Sequence, residues 1–87
     1  MSDTVISPGN YRIEVSGWGL NDDFFVENTD LLWNEGGEKR LLLHQALLEQ
    51  AVIFVRLTGP EHTHGSVPIA YQVADVRPMN SIGLREA

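Results

Sequence analysis

The sequence predicts a mainly β protein: a small antiparallel β-barrel of five to six short strands with at most one short helical turn. Three observations predict it. Apolar and polar residues alternate with period two, β-branched and aromatic residues gather in short runs, and turn residues interrupt the chain roughly every ten residues. With 87 residues the chain makes one domain at most. Residues 1–10 read as a flexible N-terminal segment and residues 11–87 as the barrel.

Tyr11, Ile13 and Val15 alternate with Arg12, Glu14 and Ser16, the pattern of a strand with one buried face. The signals from Gly17 to Asp23 turn the chain into a second extended segment, Phe24 to Trp33. Its alternation is imperfect: Val26 and Asn28 oppose Phe25 and Glu27. Asn34 to Gly37 then reverses the chain, because a Gly-rich turn after an extended segment joins antiparallel neighbours. The next stretch reads two ways. Leu41, Leu42, Leu43, Ala46, Leu47 and Leu48 suit a helix by propensity and a strand by context. Strand is assigned to 39–43, and a helical turn or irregular link to 44–50.

Ala51 to Leu57 is a β-branched and aromatic run fit for a mostly buried strand. After the turn signals of Gly59 to Pro68, Ile69, Tyr71, Val73 and Asp75 share one face of a further strand, and Ala70, Gln72, Ala74 and Val76 share the other. Pro78 to Ser81 turns the chain into a last short strand, Ser81 to Arg85.

Composition excludes several chemistries. The chain has no Cys, so disulfides, thiolate catalysis and Cys-based metal centres are absent. The longest apolar run, Ala51 to Val55, is far too short to span a bilayer as a helix, and the N-terminus has neither a basic start nor an apolar signal core. A cytoplasmic protein is expected. The net charge is −6, and residues 1–38 carry eight acids against Arg12 alone. Nucleic acids and anionic membranes, which bind through clustered Lys and Arg, are therefore not expected as partners.

No nucleophile or acid–base set is legible, and Glu27 and Asp30 fall on opposite faces of their strand, so catalysis is not expected. Glu61-His62-Thr63-His64 places two imidazoles close together, with Glu61 or Glu14 as a further oxygen ligand. Without a fixed third ligand it reads as a solvated loop, and no metal or cofactor is expected. His44, alone among leucines, reads as a boundary residue. Trp33 is expected in the barrel. Trp18 lies between two glycines beside Asp22 and Asp23, where it serves either as a lid or as an exposed anchor. Trp18, Asp22 and Asp23 are the candidate partner-binding residues.

The order "VSG", "FVENT", "NEGG", "EQAVIFVRL" and "SIGL" resembles the β-barrel part of the PilZ domain family, receptors for the bacterial messenger cyclic di-GMP. The resemblance runs from about Tyr11 to Leu84. Val15 and Gly17 match a strand end and its Gly, while Phe25, Glu27 and Thr29 match an F-x-E-x-T segment. Gly37 matches the Gly of a D/N-x-S-x-x-G motif that otherwise departs, with Leu32 and Asn34 at its other positions. Val52 to Leu57 resembles the following strand, with Gln50 where a Gly stands in the family. Ile82-Gly83-Leu84 resembles the terminal strand.

The resemblance implies Asn34 and Gly37 as nucleotide contacts, if nucleotide is bound at all. Beside it, the bottom-up reading of Asn34 to Gly37 is a hairpin turn with a positive φ at Gly, flanked by Glu35 and Glu38, whose carboxylates repel phosphate. The family's R-x-x-x-R arm has no counterpart in residues 1–10, which contain no Arg. A dinucleotide with two phosphates and two guanines needs guanidinium forks or stacking planes.

The expectation is thus a PilZ-like domain without nucleotide, acting as a non-catalytic protein-interaction or regulatory module. One alternative is a cyclic di-GMP receptor using Arg40, Arg56 and Arg77. Another is an unrelated acidic β-protein that meets or inhibits a basic partner through Asp22, Asp23, Glu27 and Asp30.

Overall fold

Strict alternation in the first strand turns Ile13, Val15 and Gly17 inward and Arg12, Glu14, Ser16 and Trp18 outward. The computed structural model describes residues 9–58 and 67–86. Six strands form: β1 Gly9–Trp18, β2 Phe24–Trp33, β3 Lys39–Leu42, β4 Val52–Leu57, β5 Ile69–Arg77 and β6 Ser81–Glu86. They close an antiparallel barrel in the order β1-β2-β3-β6-β5-β4, with β4 returning to β1. A 3-10 turn at Pro78–Asn80 joins β5 to β6. Among the described residues, no helix is long and apolar enough to cross a membrane.

The inward faces meet in one apolar core. Ile13, Val15, Leu41, Ile53, Val73 and Ile82 are its largest fully enclosed side chains, each contributing about 1.5–3 kcal/mol by leaving water. The link between β3 and β4 is irregular and places Leu43 and Leu47 in this core, closing one end of the barrel. Asn80 fastens it: its Nδ2 donates to the carbonyls of Leu43 and Gln45 at 2.7 and 2.8 Å.

β5 departs from the sequence reading in one respect. The register slips between Val73, which faces Leu84, and Asp75, which faces Gly83. Ala74 is the extra residue of a bulge. Uninterrupted alternation would point the Asp75 carboxylate into the core and Val76 outward. The bulge reverses both, so Val76 opposes Ile82 against the core and Asp75 lies outside.

Two strands of unequal length cause a second irregularity. β2 has ten residues and β3 four, and their ladder holds only Leu31↔Leu41, Leu32↔Arg40 and Trp33↔Lys39. Beyond it, inward side chains of β2 replace backbone bonds. The Thr29 hydroxyl donates to the Leu42 carbonyl at 2.8 Å. The Glu27 carboxylate accepts from the amides of His44 at 2.7 Å and Gln45 at 3.3 Å, and His44 Nδ1 lies 2.8 Å from Glu27 Oε2.

Hydrogen bonds to a charged acceptor are worth about 1.5–3 kcal/mol each, less where water competes. Glu27→Ala is therefore expected to lower stability by about 2 kcal/mol in urea unfolding and to speed amide exchange at Gln45. A loss below about 0.5 kcal/mol would assign the closure to apolar packing alone.

Candidate functional site

The far end of the β1–β2 hairpin carries apolar residues on its outer face. Trp18 pairs with Phe24 across the strands and Ser16 with Val26, and Ser16 also faces Phe54 on β4. The parity that turns Ile13 and Leu31 inward turns Trp18, Phe24, Val26 and Phe54 outward. Trp18, Phe24 and Val26 are 52%, 58% and 55% exposed. The indole meets the Phe24 ring edge-on at 5.1 Å, a favourable aromatic pairing. Leu20 and Val52 extend this exposed apolar face.

Asp22 and Asp23 sit in the turn beside it, both exposed. The turn is built by the Gly19 amide donating to the Asp23 carbonyl at 2.9 Å and the Asp22 amide donating to the Gly19 carbonyl at 3.0 Å. Neither carboxylate makes an ion pair among the described residues. The structure thus brings together all three partner-binding candidates, with Trp18 at the end of β1 rather than in a loop. Phe24, Val26, Val52 and Phe54 were missed from sequence. For Phe24 and Val26 the signal was the imperfect alternation of β2, which puts apolar residues on the face that also carries Asn28 and Asp30; Val52 and Phe54 lie on β4, whose continuous apolar run marks no outer face.

The nucleotide candidates stand elsewhere. Asn34 opens the β2–β3 turn, where its amide donates to the Glu38 carbonyl at 2.9 Å and its carbonyl accepts from Gly37 at 3.0 Å. Its side chain is equally committed: Oδ1 accepts from the Glu38 amide at 2.9 Å and Nδ2 donates to Glu38 Oε1 at 3.2 Å. Gly37 takes φ +92°, a conformation side chains disfavour. Both residues serve the reversal of the chain.

Arg40 and Arg77 lie together on the outer face of β3, β6 and β5, while Arg56 is separate, paired with Glu14 at 3.0 Å. The Arg40 guanidinium crosses Gly83 to donate to Asp75 Oδ1 at 2.7 Å, with further bonds to Glu38, the Ser81 hydroxyl and the Ser81 carbonyl. A Cβ at Gly83 would come within 2.6 Å of that guanidinium and 2.9 Å of the Asp75 carboxylate. Arg77 lies 3.7 Å from Glu38 and 3.8 Å from Asp75, so two cations meet two anions.

The open end of the barrel, opposite the link, is a cavity of about 80 Å³ lined by Tyr11, Trp33, Lys39, Leu57, Ile69 and Tyr71 among others. The Lys39 ammonium sits over the Trp33 ring at 4.4 Å and 5.9 Å from the Tyr71 ring. Burial, followed by the charge of Glu86, raises the Tyr71 hydroxyl above its ordinary value. A notch of about 280 Å³ opens where β2 and β3 diverge, beside Asn10, Asp30, Arg40 and Ser81. Glu27 serves the closure and Asp30 pairs outside with Arg12 at 3.1 Å, so they form no carboxylate pair. Among the described residues no group of three or more His, Cys, Asp and Glu could hold a metal ion. Glu61, His62 and His64 lie outside those residues. Compared with protein-family models, curated proteins and solved structures, the chain finds no match.

The Arg40 cluster makes stability depend on pH. The hydrogen bond from Arg40 holds the Asp75 and Glu38 carboxyls below their ordinary values of 3.8 and 4.5, burial opposing it and the charge of Arg77 adding to it. A carboxyl whose folded value is depressed contributes stability that is whole above its ordinary value and lost as pH falls through the depressed one. Wild type is expected to exceed Arg40→Gln in urea midpoint at pH 7, and that gap should shrink once the pH is taken below about 4. A gap independent of pH would remove the carboxylates from the account.

Proposed function

We propose that this chain is a PilZ-like barrel that has lost nucleotide capture and works as a non-catalytic docking module for a protein partner. One observation carries the proposal: Trp18, Phe24 and Val26 stand on the outside of a barrel whose core is already complete, next to two unpaired carboxylates. Surface aromatics paired with each other make strong anchors. Asp22 and Asp23 add a preference for a partner bearing Lys or Arg around an apolar centre, which draws the acidic-protein alternative into the same surface.

The loss of nucleotide is supported by the disposition of the cations. Arg40 and Arg77 are neutralised by Glu38 and Asp75, and Arg56 by Glu14. The Asn34 side chain is engaged at both Oδ1 and Nδ2 within its own turn. The cavity at the barrel mouth, about 80 Å³, falls well below the roughly 300–1,000 Å³ of small-molecule sites, and the notch, about 280 Å³, only approaches its lower bound. The PilZ-like part of the reading is supported at Gln50, which stands where the family has Gly and holds φ +75°, a backbone that Gly adopts without strain.

Calorimetric titration with cyclic di-GMP is expected to give no saturable heat. Binding tighter than about 10 μM, roughly −7 kcal/mol, would reinstate the receptor. For docking, immobilised wild-type protein is expected to retain partners that the folded double variant Trp18→Ser with Phe24→Ser does not retain, and to release them as salt is raised. Equal capture by the two proteins would refute the docking face.

A further inference from the structure

The far half of β2 has a backbone edge that nothing in the barrel uses. In the β2–β3 turn the Asn34 amide donates across to the Glu38 carbonyl, so even-numbered residues of β2 direct their N–H and C=O groups toward β3 and odd-numbered ones toward β1. The β2–β3 ladder stops at Leu31↔Leu41, whereas the β1–β2 ladder continues to Trp18↔Phe24. The main-chain groups of Phe24, Val26 and Asn28 therefore point sideways from the sheet, with no strand beside them among the described residues. Glu27 and Thr29, facing inward, hold the link through their side chains and not through the main-chain groups of that edge. The notch beside Thr29, Asp30 and Leu42 opens where the β2–β3 ladder ends.

We propose, resting on the docking reading above, that the Phe24–Asn28 edge is a strand-addition site for an extended, basic segment of a partner protein. The added strand pairs with the free amides and carbonyls, and alternate apolar side chains continue the Trp18–Phe24–Val26 face. Its Lys or Arg residues meet Asp22 and Asp23, which lack cations of their own. Charge selects this occupant over a second copy of the chain. A two-fold pairing centred on Val26 would set the Asp22–Asp23 turn of each copy near Asp30 of the other, and each copy carries a net charge of −6.

The test uses the full chain and a synthetic peptide, a lysine pair followed by alternating valine and threonine, with amide exchange read by NMR. Saturable binding tighter than about 1 mM is expected. So is slowing of exchange by about tenfold or more at Val26 and Asn28, with no change at amides already in the β1–β2 ladder. Val26→Pro removes one outward N–H and no ladder bond, an acceptable change on an edge strand. It should weaken binding about tenfold or more, while Val26→Thr should not. Should Val26→Pro fail to fold, a peptide N-methylated at alternate residues makes the same test on wild-type protein and should lose affinity alike.

Three outcomes overturn the proposal. Binding indifferent to N-methylation, without protection of the edge amides, would leave a docking face that works through side chains alone. Absence of saturable binding would reject strand addition, with the capture experiment deciding separately on the docking face. Concentration-dependent protection of the same amides without peptide would give the edge to a second copy.

Discussion

The architecture turns on a mismatch: a ten-residue strand is paired on one side for its full length and on the other by a strand of four. A barrel has to leave no amide or carbonyl stranded in its interior, since each such group costs about 1–3 kcal/mol. The link after β3 sends Leu43 and Leu47 into that interior and leaves the amides of His44 and Gln45 beside it without strand partners. One carboxylate answers both, because its two oxygens offer several acceptor sites within a span that fits successive amides. Glu27 is thus an inward-facing acid in an apolar barrel for a structural reason. Thr29, one inward position along, completes the closure.

Charge on the rest of the surface is arranged around a second compromise. The bulge at Ala74 expels Asp75 from the core and delivers it to Arg40, and Gly83 leaves the guanidinium room to cross β6. The result is a face on β3, β6 and β5 where cations and anions cancel. The opposite face, on β2, β1 and β4, is apolar at the hairpin end and acidic at its turn. Exposed aromatic surface and unpaired carboxylates therefore coincide at that end among the described residues.

Much of this was legible in the sequence. The alternation of β1, the β-branched run of β4 and the Gly-rich turn located every strand within a residue or two and predicted barrel closure. The link was readable only as a choice between helix and irregular chain, because its leucines satisfy either period until Glu27 and Asn80 are seen to hold its backbone. Asp75 could not be placed by parity, since a bulge is a response to tertiary packing and leaves no composition of its own. Trp18 was identified with its acidic neighbours. Its apolar companions were hidden because the outward direction of Phe24 and Val26 depends on a register that no local pattern states.

The residues that carry the family resemblance now have structural work independent of any ligand. Glu27 and Thr29 close the barrel, Gly37 supplies a positive φ, and Gly83 lies beneath Arg40. Losing any one of these residues would damage the fold itself. The edge of β2 follows the same logic in reverse. Natural sheets blunt free edges with charge, bulges or cover, since an open, flat, apolar edge pairs with whatever comes near. Here the ladder stops at Leu41, Phe24 and Val26 stand at the far end beyond Asn28 and Asp30, and the charges of the adjoining turn, Asp22 and Asp23, are acidic. In the proposed docking mode such a guard disfavours another copy of the same acidic chain and favours a basic strand, one field serving both selections.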